Sequence, residues 1–449
     1  MEKFKKYDAI VICSTLNQMV NYIPIMLHEI DTKNIYNIRR NTPTNKIIKH
    51  KFDYGKWDEN FKEVLGSEFD CEIQNINFNE KEISNHTNIT NHIKKHIGEK
   101  IEGKKVLWNI TGGQRHFVMA ITEYVLKYKE RKDDTIMYYD GDREKIYYYS
   151  QNENNIKPFN LLEENLNYEI TIPKALRLMG FKVKNREDLR EPSDYYKEIN
   201  GEKTEEHKWY TDFHKFYSEN EELRKLLVNS NRFKNDKEES TDKNSKKENK
   251  ITKSVLNKIL EEIKASGLKE DIKNMFKENA LKTLEASLGD HCKGKVFGYM
   301  LEKMTLYNLM DIIESDGYKD IISDIDADIS VDSAIKPKNK SLDQFDVMMA
   351  TKTGKIIMLE CKSGGMSGDN AKSNNYSTYA IAGVYGTPIL VVPVIDGDSK
   401  SEKIHYQNNK NVYKYVGAAI DSAERASIDY KCINELSEIL ENYRDIEKE

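Results

Sequence analysis

Two apolar runs, Phe345–Ala350 and Lys355–Leu359, are separated only by Thr351-Lys352-Thr353-Gly354. So short a break between strand-like runs restricts the chain there to a tight antiparallel hairpin. If the loop is Lys352 to Gly354, glycine takes the left-handed position of a bulged turn, and the pairing centres on Thr353. Asp346 then lies directly opposite Glu360, and Lys362, two residues on, points to the same side as Glu360. A turn at Thr353-Gly354 would instead face Asp346 toward Cys361 and break the group. The first register predicts a pair of carboxylates and an ammonium gathered on one face.

A chain of 449 residues exceeds one ordinary core, so two domains and a connector are expected. Charged residues make up 32% and hydrophobic ones 38%, which predicts a very polar surface. No apolar run approaches the roughly 20 residues that span a bilayer. Met1-Glu2-Lys3-Phe4 lacks the apolar core of a signal peptide, so a cytoplasmic protein without membrane contact is expected. A net charge of −5 argues against a general polyanion binder; nucleic acid would need a local basic groove. Cys13, Cys71, Cys292, Cys361 and Cys432 are too scattered for zinc or redox spacing. His291-Cys292 is the one adjacent pair of soft ligands and reads as a loop.

In the first 150 or so residues, strand-like runs alternate with amphipathic segments. Strands are predicted at Ala9–Ser14, Ile73–Phe78 and Val106–Ile110, and helices at Asn17–Ile30, through His92–Ile97, and at Gln114–Lys127. Ile136–Tyr139 and Ile146–Tyr149 flank Asp140-Gly141-Asp142 as a hairpin. This alternation predicts a mostly parallel sheet of Rossmann type. Pro173–Leu178 and Glu205–Leu227 read as helices, and Asn235 to Lys250, nearly all charged or polar, as a solvated linker. Beyond it, helices Ser254–Ile263 and Val296–Ile313 precede strands Ile321–Val331, Phe345–Ala350 and Ile356–Cys361. Helix Lys372–Tyr385 and strand Pro388–Val394 follow. The expected division is 1–160, a connector at 161–250, and 251–449.

Carboxylates at hairpin spacing suit Mg²⁺ or Mn²⁺, which prefer oxygen ligands. Such an ion lowers the pKa of a bound water and neutralises phosphate, and a lysine can orient that water or stabilise developing charge. Asp346 followed by Glu360-Cys361-Lys362 resembles the signature of the PD-(D/E)xK nuclease superfamily, with Phe345 in place of the proline. Helix, three strands, helix, strand is the core order of that restriction-endonuclease-like fold. Glu302, in Gly298-Tyr299-Met300-Leu301-Glu302, fits the helix-borne carboxylate of such sites. The resemblance implies Asp346, Glu360, Lys362 and Glu302 as catalytic residues, with the three acids as metal ligands.

In the front half, Val106–Ile110 runs into Thr111-Gly112-Gly113-Gln114-Arg115 and then a helix. Glycines admit a ligand close to the backbone, and a helix N-terminus offers N–H groups to phosphate. Ser14-Thr15-Leu16-Asn17-Gln18, after the first strand, opens at the same sheet edge. Asn109-Ile110-Thr111-Gly112-Gly113 resembles the signature of the CARF domain, the cyclic-oligoadenylate sensor of type III CRISPR defence. Gln114-Arg115 stands where Thr-Lys is usual, and arginine keeps the positive charge. A CARF front with a PD-(D/E)xK rear resembles the CRISPR ancillary nucleases. The resemblance implies an α/β chain with a Rossmann-like CARF domain, a connector and a restriction-endonuclease-like domain. It also implies a homodimer enclosing one cyclic tetra-adenylate, and metal-dependent cutting of single-stranded DNA, single-stranded RNA or nicked duplex.

A rival reading is a CARF regulator that binds DNA without catalysis, with Thr171–Val183 as part of a winged helix. A HEPN ribonuclease needs arginine followed four to six residues later by histidine, which the rear half lacks. Degradation of the activator by the sensor itself stays open.

Overall fold

The computed structural model describes residues 6–41, 54–152, 158–161, 166–184, 186–230, 257–276, 296–335, 342–364, 366, 368–395 and 414–444. The expected linker, His291-Cys292 and the start of the helix expected at Ser254 lie outside these residues.

The front sheet contains β1 (Ala9–Cys13), β2 (Ile35–Arg40), β3 (Ile73–Phe78), β4 (Val106–Asn109), β5 (Thr135–Asp140), β6 (Lys145–Tyr149) and β7 (Phe159–Asn160). Their order is β3-β2-β1-β4-β5-β6-β7, parallel from β3 to β5, with β6 and β7 antiparallel. Helices α1 (Met19–Leu27), α2 (Tyr54–Glu68), α3 (His86–His96) and α4 (Arg115–Lys127) accompany it. The strand order reverses between β1 and β4, so the loops after these two strands share one crevice.

Helix α1 is shorter than the Asn17–Ile30 span that periodicity predicts. The Asn17 side chain accepts from the Met19 N–H at 3.0 Å, which sets the start. At the other end His28 turns extended while its ring bonds the Pro24 carbonyl at 2.7 Å, and Glu29–Ile30 pairs as a strand with Lys6–Tyr7. Strand β2 and helix α2 have no counterpart among the elements that the sequence pattern predicts.

The rear sheet contains β8 (Phe181–Val183), β9 (Ile322–Ser333), β10 (Asp343–Thr351), β11 (Ile356–Cys361), β12 (Gly386–Val392) and β13 (Asp429–Cys432), in that order. Pairing is antiparallel from β8 to β11 and parallel from β11 to β13. Helix α5 (Ile172–Leu178) leads into β8, and α6 (Asp194–Ile199), α7 (Glu205–Glu219), α8 (Glu221–Asn229) and α9 (Val296–Ser315) follow. The single helix expected over Glu205–Leu227 breaks at Asn220, whose extended backbone frees its side chain to cap the Leu223 N–H. After β11 come α10 (Gly368–Ala382), α11 (Lys414–Arg425) and α12 (Leu436–Arg444). Segment 171–183, weighed above as part of a winged helix, contributes an edge strand to this sheet: Phe181 pairs with Ser333 and Val183 with Val331.

One apolar layer joins the two sheets. It runs from Ile10, Ile12 and Met19 through Tyr139 to Met348, Met358 and Tyr385, all buried. Burial of each such side chain is worth roughly 1.5–3 kcal/mol, so the halves are bonded through core.

Candidate functional site

The rear cluster follows from the hairpin. Gly354 has φ +87°, Gly354 N–H donates to the Thr351 carbonyl at 3.0 Å, and Thr351 N–H to the Lys355 carbonyl at 3.0 Å. The turn is therefore the three-residue form. Val347 pairs with Leu359 and Ala350 with Ile356, the register centred on Thr353. One step further out, beyond the last rung, Asp346 and Glu360 stand across from each other. There the Asp346 carboxylate accepts the Cys361 N–H at 2.7 Å. Lys362 Nζ pairs with Glu360 Oε1, and Asn374 Nδ2 from α10 donates to Glu360 Oε2 at 3.2 Å.

Glu302 comes to this cluster from α9, whose other positions are mostly buried. Burial pushes its carboxyl well above the ordinary range, and the Asp346 charge adds to the push while Lys362 opposes it. Asp346 is raised in the same way, by burial and then by Glu360. Lys362 is held above its usual value: burial acts downward, but Glu360 and Asp346 outweigh it. Cys361 points away, with Sγ 3.6 Å from Thr305 Oγ1.

Asp328 is a further acid that sequence reasoning missed. The pairs Ala327–Val347 and Ile329–Phe345 bracket it, so it faces Asp346 across β9 and β10. Its φ is +53°, Gln344 bonds its carboxylate, and its charge raises both Glu302 and Asp346. A signal was present: Asp324, Asp326 and Asp328 recur every second residue on one strand. The first of these pairs with Arg186 at 3.0 Å and the second at 2.8 Å.

The donor set, carboxylate oxygens only, is that of a hard divalent cation, and crowded, buried negative charge is what such an ion relieves. Among the described residues, no three acid, histidine or cysteine side chains enclose an ion as placed. Glu360 is instead ion-paired to Lys362.

The front cavity, about 120 Å³, is lined by Ser14, Thr15, Leu16, Gly113 and Gln114, together with Ile38, Arg39, Arg40 and Phe117. Gly112 and Gly113 let the two loops close. A Cβ on Gly113 would stand 2.5 Å from Cys13 Cβ, and its φ is +89°. Arg115 is exposed at the start of α4. Asn109 and Gln18 are buried and hold the loops from below rather than lining the cavity. Asn109 Nδ2 donates to Val20 O at 2.8 Å and to Asn21 Oδ1 at 2.9 Å, and its Oδ1 accepts the Thr111 N–H at 3.0 Å. Gln18 Nε2 donates to Asp58 at 3.2 Å, as does Ser14 Oγ at 2.7 Å. Asn17 caps α1 and Thr111 supports Tyr139, whose N–H it accepts at 2.7 Å. Arg39 and Arg40 were missed because their strand was; an Arg-Arg pair closing an apolar run was the available sign.

No protein-family model and no curated protein matches the chain. Among solved structures, protein VC1899 from Vibrio cholerae superposes with a TM-score of 0.60 at 14% identity, covering 97% of each chain. Can2 from Sulfobacillus thermosulfidooxidans, solved in complex with cyclic tetra-adenylate, gives 0.57 at 15% identity, over 98% of this chain and 97% of its own. The chain thus shares with both a fold of two mixed α/β sheets. No described helix is long and apolar enough to cross a membrane.

Proposed function

We propose that this protein is a ligand-gated, metal-dependent nuclease of the CRISPR ancillary kind, switched on by cyclic oligoadenylate, with cyclic tetra-adenylate the favoured ring. The observation that carries the reading is the hairpin register, which sets Asp346 across from Glu360 with Lys362 on the same edge. The full-length likeness to a structure holding cyclic tetra-adenylate supports the front half of the reading.

In the front cavity Gly113 offers close backbone approach to phosphate and Arg39 and Arg40 offer positive charge, with Gly112 and the exposed Arg115 beside it on the same loop. Ser14, Thr15 and Gln114 supply hydroxyl and amide contacts to the ring. A ring of four identical nucleotides matches a twofold axis, so we place it between two copies of the chain. Moving the dimer from 1% to 99% active takes roughly 5.5 kcal/mol of differential affinity, which phosphate contacts from two subunits can supply.

In the rear cluster, Asp346, Glu360 and Glu302 would hold Mn²⁺ or Mg²⁺. The bound ion supplies a water of lowered pKa and charge neutralisation at the phosphate. Glu302 and Asp346, whose carboxyls burial raises, would give up their protons to such an ion, since each would ligate as carboxylate. Lys362 leaves Glu360 to face the attacking water or the developing charge on the phosphoryl oxygens. Asn374 keeps Glu360 oriented while this happens. The substrate is a single strand of DNA or RNA, or a nicked duplex.

The test is incubation of labelled single-stranded DNA and RNA with the protein, Mn²⁺ and each ring size, beside a Glu360→Ala variant. Cleavage that needs both ring and metal and is lost in the variant supports the reading. Undiminished cleavage by Glu360→Ala overturns the catalytic assignment.

A further inference from the structure

The turn of the catalytic hairpin is not at the surface. Thr353, at its centre, is buried, and it is buried against the front domain. Tyr139, at the end of β5, passes its hydroxyl hydrogen to the Thr353 carbonyl at 3.0 Å. Glu144, fully buried in the turn after β5 with φ +53°, accepts the Thr353 hydroxyl, which also meets Thr351 Oγ1 at 2.9 Å. Lys355 Nζ donates to the Asp142 carbonyl at 3.2 Å and lies 3.9 Å from Glu144. Gly354 sits so close to Met19 that an added Cβ would stand 2.6 Å from Met19 Cγ.

Two of these front partners, Met19 and Tyr139, are tied to the cavity loops. Met19 is the first residue of α1, immediately after Ser14–Gln18, and Asn17 caps its N–H. The Tyr139 N–H donates to Thr111 Oγ1 at 2.7 Å. Two hydrogen bonds therefore connect Thr111 to Thr353 through one residue, the first from the Tyr139 backbone and the second from its hydroxyl. From Thr353 the paired strands run about 20 Å, at roughly 3.3 Å per residue, to Asp346 and Glu360. The intervening ladder is continuous, from Ala350–Ile356 to Val347–Leu359. A paired hairpin transmits displacement of its turn to its open end, because its backbone bonds and buried faces resist bending.

We propose that Tyr139 is a positioning residue: it links the loop at Thr111 to the turn at Thr353, so that occupancy of the front cavity sets the spacing of Asp346 and Glu360. The inference rests on the gating proposed above and names the element that carries it. Tyr139 touches neither substrate nor ligand in this scheme; it acts through the hairpin.

The experiment compares the full chain with Tyr139→Phe, which keeps the ring in the core and removes only the hydroxyl. Binding of cyclic tetra-adenylate, its stimulation of Mn²⁺-dependent cleavage, and amide exchange across residues 343–361 are measured for both. In the wild-type chain the ring is expected to alter exchange in 343–361. In Tyr139→Phe, ring affinity stays within about twofold, while the stimulated kcat falls about five- to tenfold, the size of one buried hydrogen bond, with KM for the strand unchanged. The ring-induced exchange change shrinks alongside. Thr353→Val, which removes the bond to Glu144, gives the same pattern, and Thr353→Ser restores stimulation. If the wild type binds the ring and responds, but Tyr139→Phe and Thr353→Val respond equally well, the coupling is overturned and the nuclease reading stands. If the wild type neither binds the ring nor is stimulated by it, the gating reading falls and takes this inference with it.

Discussion

The front cavity and the rear cluster are built from opposite materials. The cavity lies at two loops at the carboxyl ends of neighbouring parallel strands, closed by Gly112 and Gly113 and edged by Arg39 and Arg40. The cluster is made of side chains on paired strands and one buried helix, with acids in excess. An anion can be held by N–H groups and glycine loops that yield slightly to fit it. A divalent cation needs carboxylates held against their own repulsion, and that takes a rigid ladder and burial.

The sharpest way to break the comparison is to remove one acid. Glu360→Gln keeps the shape and is expected to lower cleavage on the order of a hundredfold or more, with ring affinity unchanged; a cleavage assay beside a binding titration checks it. Next in size is Gly113→Ala. Its φ and the Cys13 contact make a side chain strained there, costing about 1–3 kcal/mol, so a lowered Tm with loss of ring binding is expected. The double change Arg39→Ala with Arg40→Ala should weaken ring binding about tenfold, and the salt dependence of that binding should flatten, as titrations at several ionic strengths would register.

Smaller still is a pH effect confined to the rear. Glu302 and Asp346 are held above the ordinary carboxylate range by burial first, and then by the charge of Asp346 on Glu302 and of Glu360 on Asp346. A raised carboxyl keeps its proton where a free one has lost it, and the cation must displace that proton. Affinity for Mn²⁺ should therefore keep climbing past about pH 5, where ordinary carboxylates are already ionised. Glu302→Gln should flatten that climb, measured by calorimetry across neutral pH. A flat profile in the unaltered protein would remove the charge-crowding account.

Much of the rear was legible because it is local. Two short apolar runs and a glycine at the end of a short loop leave two registers, and the structure has the one centred on Thr353. The same logic places the hairpin of β5 and β6, where Tyr139 pairs with Ile146. Strand β2 was illegible because Ile35–Arg40 carries Asn and two arginines, and only its central position, between β1 and β3, buries it. Asn109 reads as a ligand contact because it opens the Thr111-Gly112-Gly113 motif, and Gln18 because its turn opens at the same sheet edge. Their burial is decided by Asn21 and Asp58, residues that the motif does not contain.

What the sequence alone determined is the hairpin that carries Asp346 to the neighbourhood of Glu360-Cys361-Lys362, because short apolar runs and glycine's left-handed freedom act over about a dozen residues. What only the tertiary structure decided is everything that crosses the chain: Asp328 facing Asp346, the arginines edging the cavity, and the turn at Thr353 buried under Tyr139 and Glu144. Those contacts join segments up to 214 positions apart. Residue spacing carries no record of them, because they form only when two sheets find a common core.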